Sequence, residues 1–197
     1  MVVPFCRSGP GGKRGNGVGV NRARALRLAI AVAVLAITGL LSAPALATSR
    51  SERSLPTLNR QVLAAVNGFR AAHGLVRLRE SSALDRSARQ HSLEMGRLGY
   101  FGHSSANGTI FWRRIRHYYR SRNYSYWSVG ENLLWAAPAV NAGAAMKLWI
   151  ASPEHLRNLL SPQWRQLGVS AVHVVGAPGV FQGQRVTIIT TDFGVRH

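Results

Sequence analysis

Three residues of this chain carry side chains suited to joint chemistry. They are His103 in "YFGHSS", Glu131 in "GENLLW" and His155 in "SPEHLRNLL". Two neutral imidazoles are good ligands for a divalent metal such as zinc. A carboxylate beside them can act as a third ligand, orient one ring, or take a proton from metal-bound water. Closed structural zinc sites take four protein ligands, so a metal on His103 and His155 would stay open to water and be weakly held. The same trio also makes a metal-free cluster, with Glu131 pinning two loops through both histidines. Both arrangements are compatible with the spacing. Other catalytic frames are thin. Ser104 and Ser105 adjoin His103, but no G-x-S-x-G elbow is present. Cys6 is the single cysteine, so nothing after it supplies a thiolate.

Bringing His103 and His155 together requires long-range folding. "LNRQVLAAVNGFRAAHG" places Leu58, Val62, Ala65 or Val66, and Phe69 at helical spacing, with Gly74 as its stop. In "SSALDRSARQHSLEMGRLG", Leu84, Ala88, His91 and Met95 share a face and Gly99 ends the helix. On that face His91 reads as a satisfied, half-buried histidine. A short helix followed by a loop is expected in "TIFWRRIRHYYRSRNYSYW", and a short strand around Glu131. "APAVNAGAAMKLWIAS" predicts a helix with Pro138 in its first turn and Val140, Ala144, Leu148 and Trp149 as its apolar face. Ser152 and Pro153 restart a helix as N-cap and first residue. "QLGVSAVHVV" and "RVTIITTDFGV" read as strands joined by a hairpin loop. Helices first and strands last indicate an α+β fold with an antiparallel sheet.

The N-terminal region has the three parts of a secretory signal. A basic stretch precedes the apolar run Leu28–Leu41, and "SAPALA" follows. Fourteen apolar residues fall short of the ~20 that span a bilayer as a helix. Residues 1–47 are therefore expected to be a signal peptide removed after Ala47, with an uncleaved anchor as the alternative. Residues 48–56 read as a polar linker and 57–197 as one domain. Beyond Ala47 lie 19 of the 25 Lys and Arg and all seven acids, leaving a formal charge of +12. Such a surface attracts polyanions, and export favours envelope polymers and anionic lipid over nucleic acid as partners.

The charge is densest between Phe111 and Trp127, where Arg113, Arg114, Arg116, Arg120 and Arg122 interleave with Trp112, Tyr118, Tyr119, Tyr124 and Tyr126. Arginine grips phosphate or carboxylate, and aromatic faces stack on sugars, bases or cations. Lying between His103 and Glu131 in sequence, the stretch is expected to form one rim of a cleft. Trp112 is expected to be buried, and Arg113, Arg116, Arg120, Arg122, Tyr124 and Tyr126 to offer a binding surface.

Taken in order, "YFGHSS", "GENLLW", "LWIASPEHLRNLL" and "LGVSAV" followed by "TDFG" resemble the CAP superfamily of cysteine-rich secretory, antigen 5 and pathogenesis-related proteins, in its bacterial SCP-like form. The resemblance spans roughly Leu58 to Gly194. It implies a three-layer α-β-α sandwich around a central antiparallel sheet, with a cleft lined by two histidines and two glutamates. The histidines fall on His103 and His155 and one glutamate on Glu131. The second falls on Ser152, a departure that weakens any mechanism needing two carboxylates, and Glu154 nearby reads as complementing a helix dipole. The resemblance favours an exported binding module for an envelope lipid, peptide or acidic polymer, without enzymatic activity. Two alternatives are a metal-dependent hydrolase using Glu131 as base, and a basic surface protein binding polyanions non-specifically.

Overall fold

The computed structural model describes residues 51–197. The expected signal segment and the processing site after Ala47 lie outside the described residues. Elements follow in the order β1 (Ser51–Ser54), α1 (Pro56–Ala72), β2 (Arg79–Glu80), α2 (Ser82–Leu98), α3 (Phe111–Tyr118), β3 (Trp127–Ala136), α4 (Ala142–Ala151), α5 (Pro153–Leu160), β4 (Gln166–Ala177) and β5 (Gln184–Arg196). The sheet order is β1-β4-β5-β3, antiparallel throughout, and β2 adds a short parallel pairing to β4. Helix α2 packs on β4 and β5 from one side with α3 beside it, while α1, α4 and α5 form the opposite layer. The chain is thus the α+β fold read from its elements, in the α-β-α sandwich that the resemblance implies. Among the described residues no helix is long and apolar enough to cross a membrane.

Both sheet faces are covered, so the central strands read as near-continuous apolar runs. Strand alternation sends Leu133, Trp135, Val172, Val174 and Ile188 toward Met95 of α2. It sends Leu134, Val169, Ala171, Ile189 and Phe193 toward Val62, Val66 and Trp149. Buried Trp149 also donates its indole N–H to the Leu133 carbonyl at 3.1 Å, fixing α4 to β3. Two devices bring the layers close. A Cβ on Gly168 would lie 2.2 Å from the backbone carbonyl carbon of Leu84, so only glycine lets α2 sit this near β4. Asp85 accepts from the Val169 N–H at 2.8 Å and locks the same contact.

Local differences from the sequence reading have physical causes. Ser51–Ser54, expected as linker, forms edge strand β1 against β4. Its pairing is made by backbone groups and its side chains are polar, so no apolar alternation marks it. Pro138 lies outside α4, after a cis peptide from Ala137. Asn141 caps α4 instead, accepting from the Ala144 N–H at 2.9 Å. The buried face of α4 is Ala142, Ala145, Met146 and Trp149, with Val140 and Leu148 of the expected face partly buried beside it. Arg70 closes the fourth turn of apolar spacing on α1 and is fully buried. It donates to the carbonyls of Leu159 and Ser161 at 2.8 and 2.9 Å. These bonds satisfy the C-terminal end of α5 and fasten that helix to α1.

Candidate functional site

Strand β3 is an edge strand, next to β5 alone. Successive residues on it serve opposite layers: Glu131 faces α2 and α3, and Asn132 faces α5. A polar cavity of about 230 Å³ opens across this edge, lined by His103, Glu131, Asn132, Glu154, His155, Arg157 and Asn158. Toward the far layer, Asn132 of β3 donates to the His155 carbonyl of α5 at 3.1 Å. Asn158 donates to the Glu131 carbonyl at 3.0 Å and to Asn132 Oδ1 at 2.8 Å. Two asparagines therefore stitch α5 to the strand and hold His155 at the cavity wall.

His103 is held from the near layer by its loop. His91 is fully buried, and burial pulls its pKa below the ordinary value, so the ring is neutral. Its Nε2 lies 2.8 Å from the Gly102 carbonyl and donates to it, fixing the backbone one residue before His103. A turn closes the other side, with Ser105 N–H donating to Thr109 O at 2.9 Å. Within that frame His103 Nδ1 lies 2.8 Å from Glu131 Oε1. The imidazole is 47% exposed and the carboxylate 0%.

Arg114 completes the site from beneath. Its Nη2 donates to Glu131 Oε2 and its Nη1 to the His103 carbonyl at 2.8 Å. Burial alone would push the Glu131 pKa up, but the His103 hydrogen bond and the Arg114 charge outweigh it and hold the group below the usual carboxylate range. With Glu131 ionised, His103 donates to it from Nδ1, which leaves Nε2 as the ring nitrogen not bound to Glu131. Burial and the neighbouring His103 both keep the His155 pKa below its ordinary value.

The structure thus brings His103, Glu131 and His155 to one cavity and leaves Ser152 out of it. Ser152 joins α4 to α5 through backbone bonds, its N–H to Trp149 O and its carbonyl to Leu156 N–H. It occupies the N-cap position of α5, but its hydroxyl makes no capping bond. Glu154 lines the cavity beyond any role at the helix dipole, so two histidines and two glutamates surround it after all. Asn132, Arg157 and Asn158 were not singled out from the sequence. The helical spacing of Glu154, Arg157 and Asn158 at i, i+3 and i+4 was the available signal.

The basic-aromatic stretch is placed differently from its expectation, since none of Arg113, Arg116, Arg120, Arg122, Tyr124 or Tyr126 lines the cavity. Arg114 reaches the site as a buried ion-pair partner. Trp112 is half-buried, with the Arg113 and Arg116 guanidiniums 5.2 and 5.4 Å from its ring centroid. Ile115 and Tyr119 fill the interior in its place. Arg120, Arg122, Tyr124 and Tyr126 are exposed near the start of β3, where Arg196 covers the Tyr119 and Tyr124 rings and Tyr126 stacks on His197.

The donor set does not match a closed metal centre. Both Glu131 oxygens are engaged by His103 and Arg114. Among the described residues no three His, Cys, Asp or Glu side chains come together to hold one ion. The imidazoles of His103 and His155 and the Glu154 carboxylate remain on the cavity wall.

Residues 63–180 match the family model described as CAP, the Cysteine-rich secretory protein family. YkwD of Bacillus subtilis (strain 168), an uncharacterized protein, is 30% identical over 136 residues, covering 66% of this chain and 50% of the relative. YlbC of the same organism, an uncharacterized membrane protein, is 27% identical over 130 residues, 66% of this chain and 36% of the relative. This chain spans about half the length of these relatives or less. Among solved structures, an extracellular protein containing an SCP domain from Bacillus anthracis aligns with TM-score 0.54 and 25% identity, covering 70% of this chain and 40% of that one. An outer surface protein from Borrelia burgdorferi aligns with TM-score 0.60 over 75% of this chain and 100% of its own, at 16% identity, a likeness of fold alone.

Proposed function

Because the chain belongs to the cysteine-rich secretory protein (CAP) family, we propose that it works as an exported binding module for an envelope ligand, not as a hydrolase. The single observation that carries this reading is the state of Glu131. A general base needs a pKa near the operating pH and must reach the proton it takes. Both oxygens of Glu131 already accept strong donors, and its lowered pKa makes it a poor base. Its role is to orient His103.

The cavity is small beside the 300–1,000 Å³ common for sites that bury a whole organic ligand. It suits a polar group at the end of a larger molecule. Glu154 supplies an acceptor there, the two imidazoles offer further hydrogen-bonding nitrogens, and Arg157 supplies a cationic donor. A divalent ion at this site would rest on His103 and His155 with water completing its shell. Export is supported by the basic, apolar and A-x-A pattern before Thr48 and by the extracellular character of the Bacillus anthracis neighbour. The +12 balance after Ala47 favours lipid or polymer of negative charge.

Ring-nitrogen NMR of His103 and His155 tests the reading, with vesicles of anionic phospholipid and a purified phosphate-bearing wall polymer as probes. Perturbation of both rings by one probe is expected. Chelator-sensitive turnover of a peptide substrate, abolished in Glu131→Gln, would overturn it in favour of hydrolysis.

A further inference from the structure

One buried acid adjoins the site without lining its cavity. Asp192 of the "TDFG" run lies on β5 directly opposite Glu131 on β3. Residues facing each other across antiparallel strands point to the same side with Cβ atoms ~5 Å apart. Asp192 is 0% exposed, and its carboxyl oxygens, beside the Ser87 hydroxyl and the Glu131 carboxylate, find no donor at full hydrogen-bond geometry. A buried polar group in that state is costly and calls for an explanation.

The groups around it are few. Glu131 faces it from β3, Arg114 from α3 and Ser87 from α2, where His91 also adjoins Glu131. The partner position on β4 is Gly168, which has no side chain. Arg114 has committed one terminal nitrogen to Glu131 and the other to His103 O, and its Nε makes no hydrogen bond. Two carboxyl groups side by side and out of water do not both ionise. Of these two, Glu131 has both charge-matched donors and Asp192 has neither.

We propose that Asp192 is held as a neutral carboxylic acid and donates its proton toward the Glu131 carboxylate, as a positioning residue for His103. An ionised carboxylate has about four lone-pair sites, and His103 and Arg114 occupy one on each oxygen. A third donor fixes the plane of the carboxylate. That plane sets the direction of the His103 Nδ1–H bond and therefore the orientation of the ring at the cavity wall. Burial and the Glu131 charge push the Asp192 pKa well above the ordinary value, in the same sense. The inference rests on the cleft reading only for why His103 matters; the state of Asp192 stands on geometry.

The test is carboxyl 13C NMR of the full chain at pH 7, combined with the His103 ring 15N signature of which nitrogen bears the proton. Asp192 is expected to show the shift of a protonated acid. Asp192→Asn keeps a neutral donor and is expected to preserve the His103 Nδ1–H signature. Asp192→Val, which has no donor, is expected to give a mixture of the two tautomers. A carboxylate shift at Asp192 overturns the proposal, as does an unchanged His103 signature in Asp192→Val. Should both variants fail to fold, the wild-type 13C shift decides the protonation state on which the proposal depends. Failure of anionic vesicles or wall polymer to perturb either histidine would count against the binding reading and leave the Asp192 shift untouched.

Discussion

Arg114 binds Glu131 and the His103 carbonyl with the same guanidinium, so one side chain sets both the charge of the buried acid and the path of the loop above it. The Arg114 side chain is 3% exposed and that of Glu131 0%. Removing one member of such a pair strands the other in the interior, which costs about 3–5 kcal/mol. Arg114→Met is therefore expected to lower the urea midpoint by a matching amount. Adding Glu131→Gln removes the stranded charge and should recover part of the loss. Equilibrium urea unfolding of the single and double variants measures both steps.

That pair also shows where sequence and structure part. The helical face Leu84–Ala88–His91–Met95, the β4–β5 hairpin and the trio His103, Glu131 and His155 were legible because each follows local periodicity or a compact motif. Arg114 was not. Alone among the five arginines between Phe111 and Trp127 it points inward, and only the packing of α3 against β3 decides which one does. Asp192 was hidden for a related reason. Its importance comes from facing Glu131, a register that joins residues 61 positions apart and leaves no local trace. Glu154 at the second position of α5 has a sufficient explanation in the helix dipole, and the cavity becomes visible only once α5 is docked.

His103 and His155 should sense each other's charge. The His155 pKa is lowered first by burial and then by His103. His103→Ala removes the second cause and keeps most of the first. The His155 pKa is expected to rise toward its ordinary value without fully reaching it. A pH titration followed by imidazole proton shifts checks this, and an unmoved His155 would mean the two rings are electrostatically independent.

Asp85 should make the fold less stable as pH rises through the mildly acidic range. Its pKa is raised to about 6, chiefly by burial, against a lowering contribution from the Val169 N–H. The folded state then holds a proton that the unfolded chain releases near pH ~4. Stability falls wherever the folded state binds more protons than the unfolded one. The loss accumulates from about pH 4 to the folded pKa and persists above it. Asp85→Asn retains an acceptor for Val169 and removes the titration, so it should flatten that part of the profile. Thermal unfolding at intervals from pH 4 to 7 compares the two proteins.

Gly168→Ala tests how tightly α2 is seated. The new Cβ would fall 2.2 Å from the Leu84 carbonyl carbon and 2.3 Å from the Asp85 backbone nitrogen. Both are main-chain atoms, so no side-chain rotation relieves the overlap. Overpacking of this kind costs ~1–3 kcal/mol or more. A loss of stability is expected, with the Asp85–Val169 bond disturbed at the same time. Amide exchange at Val169, measured alongside the unfolding midpoint, reports on both.

The basic surface near the start of β3 should bind anionic envelope material separately from the cavity. Arg120 and Arg122 are exposed there beside Tyr124 and Tyr126, and none of the four lines the cavity. Exposed charges are screened over about 8 Å at physiological salt, so binding through them must weaken as salt rises. Stacking on the tyrosine rings is much less salt-sensitive, and a residual affinity should survive. Arg120→Ser with Arg122→Ser is expected to weaken binding to anionic vesicles and to flatten its salt dependence, with the unfolding midpoint unchanged. The Arg120 carbonyl accepts from Arg196 at 2.8 Å, a backbone contact that the substitution preserves. Glu131→Gln alters the cavity and should leave this binding nearly intact. Co-sedimentation with vesicles across a salt series separates the surfaces. Equal binding by the double variant and the wild type at every salt concentration would remove the arginines from the partner interface.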